Sequence, residues 1–303
     1  MKNSLPDQVP PKEFSGLLYS ATAFLIWGIS PIYWKALKSV PALEIILHRV
    51  VWSFLFLILL ILIRNRWYEF WEILKTWKTL AIMTATSLLV SCNWLVYIWA
   101  VNNGFLLQAS LGYYINPLVN VLLGFVFLKE RLRPYQWVAV MLAGTGVLVL
   151  TIFYGQFPWI ALTLAGSFGL YGLIRKVSPV GSLVGLTIET LLLTIPSVIW
   201  LIYLDSNGSG SFLHARIQIT FLLMGASIVT ALPLLLFNLG ARRITLATLG
   251  FMQYIAPSCM FVMAVFIFNE PFIKTQFISF IMIWTALGIY SADSVVHYRK
   301  TNG

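Results

Sequence analysis

The residues equipped for chemistry gather in two stretches that read alike: Ala109 to Pro117, ASLGYYINP, and Ala247 to Pro257, ATLGFMQYIAP. At 3.6 residues per turn, Ser110, Tyr113, Tyr114, Pro117 and Asn120 fall within about a third of a helix circumference. Gly250, Gln253, Tyr254 and Pro257 do likewise in the second stretch, and Asn93 and Tyr97 stand one turn apart upstream of both. Amides, phenols and a hydroxyl hold a molecule by neutral hydrogen bonds; they do not attack it. Among apolar neighbours such groups are costly to bury without partners, so they should turn inward. For any one residue, a ligand cavity and plain helix-to-helix bonding stay equally open, and the set as a whole favours the cavity. Each proline removes one backbone N–H and frees the carbonyl four residues before it, at Tyr113 and Gln253. Because the prolines recur at matching places, a shared hinge or cavity role is favoured over a packing kink.

A second group is ionisable: Glu44, His48 and Arg49 in one apolar run and Glu189 in another. A charge at the centre of a bilayer costs about 2.5–3.5 kcal/mol, so each needs a partner or water. Glu44 and His48 are four apart and share a helix face. The expectation is that Arg49 or His48 pairs with Glu189 or Glu44 to hold two parts of the molecule together, with proton coupling as the alternative. Glu130, among Lys129, Arg131 and Arg133, reads as a solvated ion-pair cluster of little energetic weight, with a gate role as the less favoured alternative.

Enzymatic signatures are missing. No HExxH, no nucleophile with an evident base and no phosphate-cradling GxxxxGK[ST] loop occurs, and His214 and His297 lie in polar segments. Cys92 and Cys259 fall in apolar runs, which supports neither a disulfide framework nor a cysteine-rich metal site. No cofactor or metal is expected.

The elements that position these residues follow from hydropathy. Of 303 residues 59% are hydrophobic and 10% charged, with a mean hydropathy of +0.86, which is the balance of a polytopic membrane protein. Runs long enough to span lie near 15–34, 44–63, 79–101, 107–128, 134–152, 158–174, 184–204, 216–237, 245–268 and 272–292. All must be helices, because an open sheet edge in lipid leaves backbone groups unsatisfied. The net charge of +10 is spread in short clusters between the runs, which speaks for topology rather than nucleic acid. With the N-terminus placed in the cytoplasm, fifteen Lys and Arg fall on the inside and four, Lys35, Lys38, Arg216 and Lys274, on the outside. Both termini are therefore expected to be cytoplasmic. The segment RNRWYEFWEILKTWK gathers Trp67, Phe70, Trp71, Leu74 and Trp77 on one face, as an interfacial helix would.

The two opening stretches belong to a longer repetition. Ala109, Leu111 and Gly112 match Ala247, Leu249 and Gly250, and Pro117 and Glu130 match Pro257 and Glu270 after a two-residue insertion. Ala21, Phe24, Trp27 and Gly28 likewise match Ala165, Phe168, Tyr171 and Gly172. Trp27 and Tyr171 thus become candidates for aromatic walls or gates. Five spans per copy is an odd number, so the copies point in opposite directions. The chain divides into a tail (1–14), one five-helix repeat (15–152), a second inverted one (153–293) and a tail (294–303). Inverted repeats of membrane helices are a plan of secondary transporters, with the substrate between the halves near the midplane.

WGISPIYWK (27–35), EIILHRVVWS (44–53), NWLVYIWAVNNG (93–104), ASLGYYINP (109–117) and LGFMQYIAP (249–257) together resemble the EamA family of the drug/metabolite transporter superfamily, in its RarD subgroup. The resemblance runs from about residue 15 to 293. It implies a ten-helix carrier of the bacterial inner membrane in which spans 1, 3, 4, 6, 8 and 9 surround a central cavity and 2, 5, 7 and 10 support them. The expected cargo is a small organic metabolite or drug-like compound, moved outward or exchanged by alternating access, with a proton or an exchanged ligand as coupling partner. A strongly anionic cargo is disfavoured, because Arg49 and Arg175 are the only obvious cations for the cavity. A membrane-embedded enzyme and a non-transporting scaffold are the competing readings.

Overall fold

A computed structural model describes residues 12–103, 105–155, 157–267 and 274–302. The described chain is helical throughout: α1 (Lys12–Ala36), α2 (Ala42–Ile63), α3 (Trp67–Lys75), α4 (Trp77–Asn102), α5 (Leu106–Leu128), α6 (Pro134–Tyr154), α7 (Trp159–Val177), α8 (Ser182–Ser206), α9 (Ile217–Ala241), α10 (Leu246–Gln253), α11 (Ile255–Phe266) and α12 (Lys274–Asn302). Among the described residues nine of these are long and apolar enough to cross a membrane. The tenth expected span is the pair α10 and α11. It is interrupted at Tyr254, which keeps right-handed angles (φ −62°, ψ −14°), so the chain loses a hydrogen-bonded step without unwinding. The interruption places Pro257 in the first turn of α11, where a missing N–H costs no helical bond. Pro117 by contrast sits inside an unbroken α5.

Two expected boundaries change. α12 continues through Asn302, so most of the expected tail extends the last helix. α3 ends at Lys75 because Thr76 takes an extended conformation, and Trp77 opens α4 instead of joining the face of α3. Phe70 is the buried residue of α3, packed in a cluster with Ile61, Met83, Val184 and Ile188, while Trp71 and Tyr68 are exposed.

The most extensive contacts between helices follow an exchange rule. Replacing α1, α2, α4, α5 and α6 by α7, α8, α9, α10/α11 and α12, and the reverse, turns the contact α5–α7 into α11–α1, α4–α7 into α9–α1 and α4–α8 into α9–α2. The contacts α2–α8, α6–α12 and α5–α10 map onto themselves. The self-paired α5–α10 crossing is tight, because a Cβ on Gly250 would stand 2.6 Å from the Pro117 carbonyl oxygen. Glycine lets the two backbones approach where apolar lipid supplies no driving force of its own.

Candidate functional site

Between the helices lies a cavity of about 620 Å³, within the range that encloses one small organic molecule. It takes walls from α1, α2, α4, α5, α7, α9, α10 and α11, and extends to Lys38 and Val40 in the α1–α2 connection. Its surface is aromatic and neutral-polar. Trp27, Trp34, Trp94, Tyr97, Tyr113 and Phe168 supply rings, and Asn93, Asn116, Thr230 and Gln253 supply hydrogen-bonding groups. The rings of Tyr97 and Tyr113 meet edge to face with centroids 5.9 Å apart.

Arg49 enters this cavity from α2. Its Nε donates to Thr230 Oγ1 at 2.8 Å, and its guanidinium carbon lies 4.7 Å from the Trp34 ring and 5.3 Å from the Trp94 ring. Stacking on rings suits the weakly hydrated, planar guanidinium. Neither Glu44 nor Glu189 reaches it; of the expected pairings the structure shows His48 with Glu44, which lies within one helix and does not itself join two parts of the molecule. Glu44 accepts instead from Ser211 N (2.6 Å), Ser211 Oγ (2.8 Å) and Phe212 N (3.2 Å), and lies 3.9 Å from His48 Nε2. It thereby fastens α2 to the α8–α9 connection. α2, expected only to support the cavity, contributes its charge.

One side of the cavity is closed by rings. Phe24, Trp27 and Phe168 line it, and Phe237 packs behind them at 6.0, 5.9 and 5.1 Å. Beneath Phe237 is Tyr171, fully buried, whose hydroxyl donates to Glu189 Oε2 (3.2 Å) and accepts from Asn238 Nδ2 (2.9 Å). Glu189 Oε1 accepts from Thr86 Oγ1 at 2.6 Å and lies 3.5 Å from Arg175 Nε, both side chains being at most 1% exposed. Arg175 is the partner that sequence reasoning missed. It stands in the last turn of α7, where sequence offers it as a topology signal and a possible cavity cation, while its acid is 14 positions away on the next helix.

Comparison with known proteins places the chain. The profile described as EamA-like transporter family matches residues 14–152. An "Uncharacterized transporter" of Vibrio cholerae is 47% identical over 96% of this chain and 95% of its own, and a "Protein RarD" of Salmonella typhi is 44% identical over 94% of this chain and 97% of its own. The chain belongs to the EamA-like transporter family. Among solved structures, a crystal structure 18% identical superposes with a TM-score of 0.69 over 91% of this chain and 96% of that one, a likeness of fold. As an EamA-like family member with RarD relatives, the chain is a multi-pass membrane transporter.

In this transporter the residues singled out by spacing separate into two sets. Trp27, Asn93, Tyr97, Tyr113, Gln253 and Pro257 line the cavity. Tyr114, Asn120, Tyr171, Tyr254 and Pro117 stand outside its lining, and the side chain of Ser110 lies outside the described residues. Asn120 is buried because its Nδ2 bridges Asn116 Oδ1 and Gln253 Oε1, both at 3.1 Å, while Asn116 Nδ2 donates to Ala165 O at 3.0 Å. Tyr254 donates to the Tyr114 carbonyl at 3.2 Å. Asn93 Nδ2 donates to Leu164 O (2.9 Å) and Ser167 Oγ (3.1 Å). Lining a cavity and tying helices together therefore coexist in the same amides. Cavity residues that spacing did not select are Trp34, Trp94, Phe168, Asn116 and Thr230; Phe168 alone carried a signal, as the repeat partner of Phe24.

Glu130 is not a solvated cluster. Its Oε1 and Oε2 accept from the backbone N–H groups of Leu246 (2.8 Å) and Ala247 (3.1 Å), joining the end of α5 to the start of α10, where a carboxylate also complements the helix dipole. Nearby, Lys176 Nζ donates to Ala241 O (3.0 Å), and Arg242 Nη1 donates to Ser178 O and Val180 O, both at 2.8 Å. Glu270, the repeat partner of Glu130, lies outside the described residues. No group of three metal-binding side chains occurs among the described residues.

Proposed function

We propose that this transporter is a carrier that moves a small organic compound outward, or exchanges it, by alternating access around the cavity between α1, α4, α5, α7, α9 and α10/α11. The observation that carries the reading is the cavity itself: an aromatic chamber of about 620 Å³, with neutral hydrogen-bonding groups, at membrane depth. A scaffold would have no use for it. Trp27, Asn93, Tyr97, Tyr113 and Gln253 are the residues assigned to the cargo. The exchange rule among helix contacts supports two inverted five-helix repeats rocking against each other, 15–152 and 153–293. The distribution of Lys and Arg supports cytoplasmic termini and residence in a bacterial inner membrane. On that orientation, Glu130, Lys176 and Arg242 lie on the cytoplasmic side and the cavity extends toward the outside, so the structure corresponds to a state closed to the cytoplasm. Transport is driven by a gradient, with a proton or an exchanged ligand as the coupling species.

The test is flux through the purified chain in liposomes, using a pool of radiolabelled aromatic and aliphatic metabolites and measuring counterflow. Saturable uptake of one class, reduced at least tenfold by Gln253→Leu or Asn93→Leu at unchanged protein content, is the expected outcome. Absence of flux for every class would leave the scaffold reading standing.

A further inference from the structure

Resting on the carrier reading, we infer that the cargo is an organic anion: a carboxylate, or a group of like shape and charge, on an apolar or aromatic body, received by the guanidinium of Arg49. Charge matching in the cavity points there. Among the described residues its lining holds two cations, Arg49 and Lys38, and no carboxylate. Arg49 spends one donor, Nε, on Thr230, and makes no ion pair among the described residues, so its two terminal nitrogens remain for a ligand. Two other buried charges of this chain are matched: Arg175 has Glu189, and Glu44 has three donors. An unmatched guanidinium in a low-dielectric chamber is therefore the exception, and a bound anion completes it.

The shape of the site adds to its charge. Trp34 and Trp94 hold the guanidinium between ring contacts at 4.7 and 5.3 Å while Thr230 holds Nε, so the head group is restrained before a ligand arrives and loses less freedom on binding. A planar carboxylate then accepts two parallel N–H bonds, whereas a protonated amine meets repulsion and a neutral ester offers a weaker acceptor. Tyr97 and Tyr113 flank the body of such a ligand, and Asn116 and Gln253 line the chamber beyond them. The weak preference against anions drawn from sequence is reversed, because it counted cations without knowing that one of them lacks an acid.

The experiment uses the full chain in detergent and three probes sharing a benzyl body: phenylacetate, methyl phenylacetate and phenethylamine. Modification of Arg49 by phenylglyoxal is read from its peptide mass, and the thermal midpoint is read in parallel. Phenylacetate is expected to slow modification of Arg49 and raise the midpoint at millimolar concentration, with the ester and the amine about tenfold or more weaker. Arg49→Gln should abolish the phenylacetate-induced rise, and Arg49→Lys, a point charge without a fork, should retain part of it. Equal protection by the amine or the ester, no protection by phenylacetate, no modification of Arg49 at all, or a rise undiminished in Arg49→Gln would each overturn the inference. Liposome flux separates this from the carrier reading. Protection without any flux keeps the anion site and removes the carrier; flux of amines or esters without anion protection does the reverse.

Discussion

Arg49 and Arg175 are the same side chain in the same protein, with opposite surroundings. Arg175 is fully buried beside Glu189, and its Nη2 donates to the carbonyls of Gly181 and Ser182 at 3.4 and 3.2 Å. Arg49 faces an aromatic chamber and touches a threonine and two tryptophans. The difference separates a charge that holds the protein together from a charge the protein holds ready. A buried ion pair need not stabilise relative to apolar residues, but once present it cannot lose one partner cheaply.

That contrast can be broken most forcefully at Glu189. Glu189→Ala strands Arg175 and should lower stability by about 3–5 kcal/mol in reversible unfolding in mixed micelles. Adding Arg175→Met should recover most of it, since no charge is then left alone. At the α5–α10 latch, Glu130→Gln keeps the size of the side chain but weakens two charge-assisted bonds to the start of α10, for a loss of about 1.5–3 kcal/mol in the same measurement. Gly250→Ala, forced against the Pro117 carbonyl, should cost about 1–3 kcal/mol and widen the α5–α10 crossing. Arg49→Gln should change stability by only about 1 kcal/mol, the scale of the ring contacts it gives up. If Arg49→Gln proved as damaging as Glu189→Ala, both arginines would be structural and the contrast would vanish. As the smallest effect, Glu69→Ala should remove the exposed pair with Arg66 with a change below about 1 kcal/mol.

Much of this was written in hydropathy and spacing. The spans are legible because lipid demands a long apolar helix and permits little else. Trp27, Asn93, Tyr97, Tyr113 and Gln253 reached the cavity list because polar and aromatic side chains on an apolar helix must turn inward. Periodicity fixes a helix face, though, and not what that face meets. Asn120 and Gln253 were both inward, and only packing tells that the first is spent on bridging α5 to α10 while the second also lines the chamber. Partners far along the chain were invisible for the same reason. Glu130 was read among its basic sequence neighbours, whereas its donors are 116 and 117 positions away. From sequence Arg49 is both a strut and a cavity cation, because a membrane charge needs a partner and a ligand is a partner that no sequence contains.

The seam at Tyr254 divides the chamber wall into two panels, each fastened to a different neighbour. Gln253, the last residue of α10, is held to Asn120, and α10 is held to Glu130. Ala256, Pro257 and Met260 face the same chamber from α11, across the missing helical step, and Ser258 beside them accepts from Trp284 Nε1 of α12 at 2.8 Å. A guest that touched both Gln253 and Met260 would bridge that seam, and α12 is joined to its far side through Ser258.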